Sequence, residues 1–191
     1  MEFQRLEKAS PVEITYSGER LDLYSFGLFH LNMQEIVDKV SLGLLSQAGL
    51  LEPTWRRAKY LPSRPFFPSE RIVKAELQQV RIGSLEEVIT FSVATALADP
   101  NVIAVLQNLG ANVLWAIAES GVRGIRERIH HSPNQFRWFN RDDDPVEIGP
   151  NLREVLMTIA RDNNGKKAEI RYRSDSPNRG PIEVVIVIDG Q

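Results

Sequence analysis

Residues 12–24 alternate between apolar and polar side chains on either side of a Ser-Gly pair. The apolar positions are Val12, Ile14 and Tyr16 before the pair, and Leu21 and Leu23 after it. A period of two residues is typical of strands with one buried face, and Ser17-Gly18 is a turn sequence. The pattern therefore predicts that the chain opens with a β-hairpin.

A helical period follows over residues 32–48. Its apolar positions are Met33, Ile36, Val37, Val40 and Leu44. Asn32 followed by Glu35 has the arrangement of a capping box, and Gly49 is a natural stop. The sequence predicts an amphipathic helix between these two signals.

The clearest β pattern covers residues 71–94 and contains a change of parity. The apolar positions are Val73, Ala75 and Leu77, and then Val80 and Ile82, which have the opposite parity. One extra residue at Gln78-Gln79 would return both sets to the same face of the sheet. We therefore predict a long hairpin with a β-bulge at Gln78-Gln79 and a turn at Gly83-Ser84.

The most apolar stretch, residues 94–119, is interrupted by polar residues, so we interpret it as a buried helix rather than a membrane span. Asp99-Pro100 predicts the start of that helix. An unbroken helix from there to His131 would be about 48 Å long at 1.5 Å per residue, so we expect a break at Gly121 and Gly124.

The last part of the chain predicts a third helix near 151–162, capped by Asn151, and a terminal hairpin. Residues 182–188 are apolar on both faces, which is typical of a strand buried on both sides. The resulting order ββ-α-ββ-α-α-ββ predicts an α+β fold in which three hairpins form an antiparallel sheet and about three helices pack on it. We expect one domain over 1–191, with a proline-rich excursion at 49–70 and a sub-boundary near 132–149.

Composition removes several classes of chemistry. The 191 residues include no cysteine, which excludes disulfides, thiolate metal sites and a cysteine nucleophile. Phosphate-binding, dinucleotide-binding and hydrolase motifs are absent, and no cofactor is expected. The first ten residues contain no apolar run, so the expected location is cytoplasmic.

The formal net charge of −2 conceals two locally basic segments. Segments 53–71 and 121–141 each carry five basic residues and one acidic residue, and both also contain aromatic residues. The candidate binding residues are Trp55, Arg56, Arg57, Lys59, Arg64, Phe66, Phe67, Arg123, Arg126, Arg128, Arg137 and Trp138. Three interpretations stay open: a surface for single-stranded nucleic acid, a protein or self-association interface, and packing of the aromatics on the core alone.

One acidic cluster is a candidate metal site. Asp142, Asp143 and Asp144 could supply oxygen ligands to a hard cation such as Mg²⁺, but a solvated turn before Pro150 is the simpler explanation. The neighbours His130 and His131 would point about 100° apart on a helix and so would not converge on one ion.

Two fragments resemble a loosely defined group of bacterial and phage-borne proteins. They are the strand Val12–Gly18 with the helix that begins near Met33, and the strand-turn-strand around Arg81-Ile82-Gly83-Ser84-Leu85-Glu86. The resemblance covers about residues 12–125 and leaves out the insertion at 53–68 and the terminal hairpin. It implies a bacterial or mobile-element source and a component of an antiphage or plasmid-borne system, and it carries no activity over to this chain.

These observations together favour a non-enzymatic module that acts by binding a partner protein or a second copy of itself, without a membrane. Nucleic-acid binding through segments 53–71 and 121–141 is the alternative. A metal-dependent enzyme that uses Asp142, Asp143 and Asp144, with His130 or His131 as a further candidate, is the third hypothesis.

Overall fold

The structure is a computed structural model. It describes residues 2–18, 21–50, 71–81, 85–119, 126–130, 155–156, 158–159, 161–163, 166–176 and 180–188. Its strands are β1 (Phe3–Arg5), β2 (Val12–Ser17), β3 (Val73–Arg81), β4 (Leu85–Ala94), β5 (Arg126–His130), β6 (Ala168–Ser176) and β7 (Gly180–Ile188). Its helices are α1 (Leu23–Gln47), α2 (Pro100–Leu106) and α3 (Leu109–Glu119), with a short 3₁₀ turn at Thr95–Leu97. Further helical positions within 155–162 are labelled α4.

All strand pairs in the described part are antiparallel, and the fold is α+β, as the sequence predicts. Strand β4 pairs with β3 along one edge. Because a strand has two edges, β1 and β2 must share the other edge of β4, and their registers on β4 do not overlap. The sheet therefore runs β3-β4-β2-β6-β7-β5, with β1 in line with β2.

The sheet consists of two halves with the same connectivity. In the first half, α1 connects β2 to β3, and β4 lies between these two strands. In the second half, the described positions of α4 lie between β5 and β6 in the chain, and β7 lies between these two strands in the sheet. The halves meet at the antiparallel pair β2–β6.

One face of the sheet carries the helices and the core. Val12, Ile14 and Tyr16 of β2 are buried on this face, and the polar residues between them point the other way. Buried residues of α1, α3 and α4 join the same apolar cluster, and they include Val37, Leu114 and Leu156. The period-two pattern of β2 therefore correctly predicts which face packs against the helices.

The two paired strands of the predicted hairpin at 71–94 and its bulge are confirmed, whereas the predicted turn at Gly83-Ser84 lies outside the described residues. The pairing of β3 with β4 shifts register between Leu77 and Gln79. Two other predictions also hold. Asp99 caps α2 by accepting from the backbone N–H groups of Asn101 and Val102. In β7, Val185 is buried on the face opposite the core, as expected for a strand that is apolar on both sides.

The first predicted hairpin is wrong, because residues 23 and 24 begin α1 instead of forming a second strand. Asp22 is the N-cap, and its Oδ1 accepts the backbone N–H of Ser25 at 2.7 Å. Asn32, the predicted cap, is buried inside the helix. The alternation of Leu21 and Leu23 is two residues long and is outweighed by the cap and a helix of 25 residues.

The region after α2 also differs from the prediction. The helix breaks at residues 107–108, where α2 and α3 meet at 41°, and the predicted break at Gly121 and Gly124 lies outside the described residues. Residues 126–130 form the strand β5 and are not helical, so the helical interpretation of His130 is wrong. A strand of five residues with one apolar member carries too little periodicity to be predicted.

Helices α2 and α3 meet the length and composition of a membrane span as a bent pair, whereas no single helix in the described residues does so. Most residues of α3 are buried in the core, as predicted for this stretch.

Candidate functional site

Most predicted site residues lie outside the described residues, so the predictions on them stay open. This holds for the aromatic and basic residues of 51–70, for Arg123, Arg137 and Trp138, and for Asp142, Asp143 and Asp144. Arg126 and Arg128 belong to β5, where they are the register partners of Val187 and Val185. Among the described residues, no group of three histidines or carboxylates is arranged to hold a metal ion.

The described surface contains an apolar feature on α1 that the sequence analysis missed. Three of the four large apolar side chains exposed in this part of the chain lie in its first nine residues. The exposed fractions are 89% for Leu23, 68% for Tyr24 and 66% for Leu31. The fourth, Leu77, is on β3.

These three side chains share one face of the helix. At about 100° per residue, Leu23, Gly27, Leu31 and Tyr24 fall within an arc of about 100°. The core-facing Phe29, Ile36 and Met33 lie on the opposite side of α1. We call Leu23, Tyr24, Gly27 and Leu31 the α1 stripe.

Gly27 lies within the α1 stripe and, because it has no side chain, leaves a shallow depression in its surface. A Cβ atom added at this position would meet no atom within 4 Å. Residues 23–34 contain no Asp, Glu, Lys or Arg. The side chain of His30 in this segment points toward the sheet, where it contacts Glu87. The α1 stripe is therefore an uncharged apolar surface, which is the kind that binds proteins when it is exposed.

Below the stripe, His30 pairs with a carboxylate in the core. Its Nε2 is 2.8 Å from Oε2 of Glu87, whose side chain is buried on the core face of β4. Its Nδ1 is 2.7 Å from the backbone carbonyl oxygen of Phe26. A carbonyl oxygen only accepts, so Nδ1 carries a proton, and a second proton must lie between Nε2 and Glu87.

This geometry makes the His30–Glu87 pair a proton-holding contact with no free ring nitrogen. Burial lowers the pKa of His30, but hydrogen bonds to Glu87 and to the Phe26 carbonyl, together with the charge of Glu87, raise it by more. Both ring nitrogens are used, so neither can take a proton from a substrate in this arrangement. The pair therefore fixes α1 on β4 and does not have the geometry of a general base.

The buried surroundings of Glu87 include a tyrosine hydroxyl. Glu87, Ile14 and Tyr172 lie side by side across β4, β2 and β6, and Phe29 stacks on Tyr172 with ring centroids 6.1 Å apart. Burial and the charge of Glu87 both raise the pKa of Tyr172, so its hydroxyl stays protonated. Neither that hydroxyl nor Oε1 of Glu87 has a hydrogen-bond partner in the described part of the chain.

A second polar cluster connects α1 to the edge of the sheet. Gln34 Oε1 accepts the backbone N–H of Ala75 at 2.9 Å, and Gln34 Nε2 donates to the Val73 carbonyl at 3.1 Å and to Asp38 Oδ1 at 2.9 Å. Arg71 Nε lies 3.4 Å from the other carboxylate oxygen of Asp38. Burial raises the pKa of Asp38 to about 6, and the positive charge of Arg71 limits the rise.

Polar contacts also connect the end of α4 to α1 and to β2. Ser25 of α1 donates to a carboxylate oxygen of Asp162, and Asn163 donates to the Tyr16 hydroxyl at 2.7 Å. Asn163 also donates to the carbonyl of Ile159, which completes the end of α4. These contacts explain the burial of polar side chains next to α1 as structural, which leaves the α1 stripe as its exposed and unexplained feature.

The sequence contains a signal for the stripe that periodicity alone obscures. Residues 23–34 read LYSFGLFHLNMQ, which is apolar around most of the helix circumference and free of acidic and basic residues. A surface helix normally has charged residues on its outer face. The lack of charged residues on the outer face is informative only for a segment that is helical, and the pattern of residues 23–34 does not by itself predict a helix.

Comparisons with protein-family models, with curated proteins and with solved structures give no significant match for this chain.

Proposed function

We propose that the protein is a binding module that acts through protein contacts, and that the α1 stripe is its contact surface. One observation carries the proposal: Leu23, Tyr24 and Leu31 are exposed together on one face of a helix that is otherwise well packed. Burying one such side chain fully contributes about 1.5–3 kcal/mol. A partner that buries these side chains would therefore form a complex that is stabilised by a free energy of this size for each side chain.

The surface has the composition of a protein-contacting patch. Apolar and aromatic residues are enriched at the centre of protein interfaces, and charged residues are depleted there. Polar groups that flank the stripe, such as the N-cap Asp22 and the ion pair between Glu35 and Lys39, would lie at its rim. The proposal of metal binding depends on residues outside the described ranges, and that of nucleic-acid binding depends on them for all but Arg126 and Arg128 of β5, so both stay predictions.

A photo-crosslinking experiment tests the proposal. A benzophenone amino acid is placed at position 27 in cells that express the chain, and at position 43 as a matched control. Gly43 is also on α1, and a Cβ atom there also meets no atom within 4 Å. We expect a discrete protein adduct from position 27, identified by mass spectrometry, and none from position 43.

A second variant makes the outcome specific to the stripe. Leu31→Glu in the chain that carries the crosslinker should abolish the adduct, because a carboxylate cannot be desolvated against an apolar partner surface. Equal adducts from positions 27 and 43, or an adduct that survives Leu31→Glu, would overturn the proposal.

A further inference from the structure

We infer that the partner of the α1 stripe is a second copy of this chain, with the two α1 helices packed antiparallel about a two-fold axis at Gly27. The inference rests on the proposed function and specifies the occupant of that surface.

The spacing of the stripe is symmetric. Leu23 and Leu31 lie four residues before and four residues after Gly27. In an antiparallel pair of helices with the axis at Gly27, Leu23 of each copy lies opposite Leu31 of the other. A two-fold interface needs one patch that is complementary to itself, and this spacing provides it. A heterologous partner would place no such condition on the sequence.

The centre of the stripe allows the two helices to approach closely. Gly27 has no side chain, and the space where its Cβ would lie is open. Two glycines that cross at the axis bring the helix backbones together, so the leucines on either side can reach the opposite helix. Tyr24, one turn from the axis, would pack beside Leu31 of the other copy.

The absence of charge allows a second copy to bind. A patch that meets itself brings like charges together wherever it is charged, and residues 23–34 have no acidic or basic residue except His30. The two helix dipoles run in opposite directions in this arrangement, which adds a small attraction. Two copies therefore meet without electrostatic repulsion in the contact.

The size of the stripe sets the strength of the contact. Three side chains from each copy form an interface at the small end of the range, below about 1,200 Å² in total, where contacts are weak and transient. We therefore expect a monomer–dimer equilibrium that depends on protein concentration rather than a permanent dimer.

Disulfide crosslinking tests the geometry, and the chain is suited to it because it has no cysteine. Leu23→Cys and Leu31→Cys proteins are purified, mixed and oxidised mildly. We expect crosslinked dimers in the mixture and almost none from either protein alone. Gly27→Cys should crosslink to itself across the axis, and Gly43→Cys should not. Crosslinking that is as strong for each protein alone as for the mixture would overturn the antiparallel arrangement.

Sedimentation equilibrium tests the association. Leu31→Glu should weaken dimerisation by about tenfold or more, whereas Leu77→Glu, at the exposed apolar residue outside the stripe, should leave it unchanged. Circular dichroism confirms that both variants are folded. A wild-type chain that stays monomeric at every concentration overturns the inference. If position 27 nevertheless gives a crosslink to a different protein in cells, the proposed function is supported and only the inference of a second copy is overturned.

Discussion

Three polar side chains of α1, spaced four residues apart, each bind a different part of the sheet region. His30 pairs with Glu87 of β4, Gln34 binds the backbone of β3, and Asp38 lies against Arg71. Residues at this spacing lie on one face of a helix, so the three form a polar line within an otherwise apolar contact. Buried polar groups are tolerated when they have partners, and this line shows how α1 is fixed in position.

The pairing of His30 with Glu87 predicts a change in the pKa of His30. In Glu87→Gln the hydrogen bond to a charged group is lost, while the burial of the ring remains. We expect the pKa of His30, which is raised in the wild-type chain, to fall below its ordinary value of 6.5. A histidine NMR titration of the wild-type chain and of Glu87→Gln measures it. An unchanged pKa would show that Glu87 does not hold the proton.

Asp38 predicts a pH dependence of stability. Its folded-state pKa of about 6 lies above the ordinary value of 3.8, so between these values the folded chain binds more protons than the unfolded chain. Asp38 therefore contributes stability below about pH 4, and that contribution is lost as the pH rises to about 6. The loss is about 1–3 kcal/mol.

Denaturant unfolding at a series of pH values from about 3.5 to about 7 measures this effect. The decrease that Asp38 causes should be missing in Asp38→Asn, which keeps an oxygen to accept from Gln34. Asp175→Asn, at an exposed residue of β6, should follow the wild-type profile. Parallel profiles for the wild type and Asp38→Asn would contradict the assignment.

At the scale of elements, α1 closes part of an exposed sheet edge. β3 is an edge strand in the described sheet, and Ile72 directs its carbonyl to β4, so the N–H of Ala75 and the carbonyl of Val73 point away from β4. These are the groups to which an added strand would bind. Gln34 occupies both, and so protects the edge from pairing with other chains.

Gln34→Leu should therefore destabilise the protein and expose this edge. Two buried backbone groups lose their partner, which costs about 2–4 kcal/mol. Chemical unfolding measures the loss, and light scattering at mild temperature should show aggregation. Lys39→Ala, which removes a half-exposed ion pair on the same helix, should cost below about 0.5 kcal/mol. A Gln34→Leu protein as stable and as monodisperse as Lys39→Ala would refute the role of Gln34.

At the scale of the whole molecule, α3 joins the two halves of the sheet. It contacts β2 in the first half and β6 and β7 in the second, and it also packs on α1. Gly110 of α3 lies very close to neighbouring atoms, because a Cβ atom there would overlap the backbone carbonyl of Ser10 and press on Ser174 Oγ. The backbone of the β1–β2 connection cannot yield as a flexible side chain could.

Gly110→Ala should accordingly lower the stability of the entire chain. We expect a loss of about 1–3 kcal/mol, in spite of the better helix propensity of alanine. Since the described apolar residues form one cluster across both halves, thermal unfolding should shift as one transition. Gly43→Ala, at an open position of α1, should instead raise stability by about 0.5–1 kcal/mol. A Gly110→Ala protein that melts at or above the wild-type temperature would contradict this account.

Local patterns were sufficient to predict the elements whose signals come from neighbouring residues. The bulge at Gln78-Gln79 follows from a change of parity, and the start of α2 follows from Asp99-Pro100. The α+β class follows from the order of such segments. These features depend on contacts within a few residues, so the sequence by itself determines them.

The tertiary structure decided what depends on residues far apart in the chain. Sequence periodicity shows Glu87 as an exception in its strand, and only packing reveals that His30, 57 residues earlier, shares its proton. β5 is a strand because β7 offers it an edge. The exposed large apolar side chains of α1 lie in its first nine residues, because the edge of β3 covers the same side of the helix only further along, where Gln34 is buried. Apolar character alone does not say which side will be covered, because burial is a property of the assembled layers.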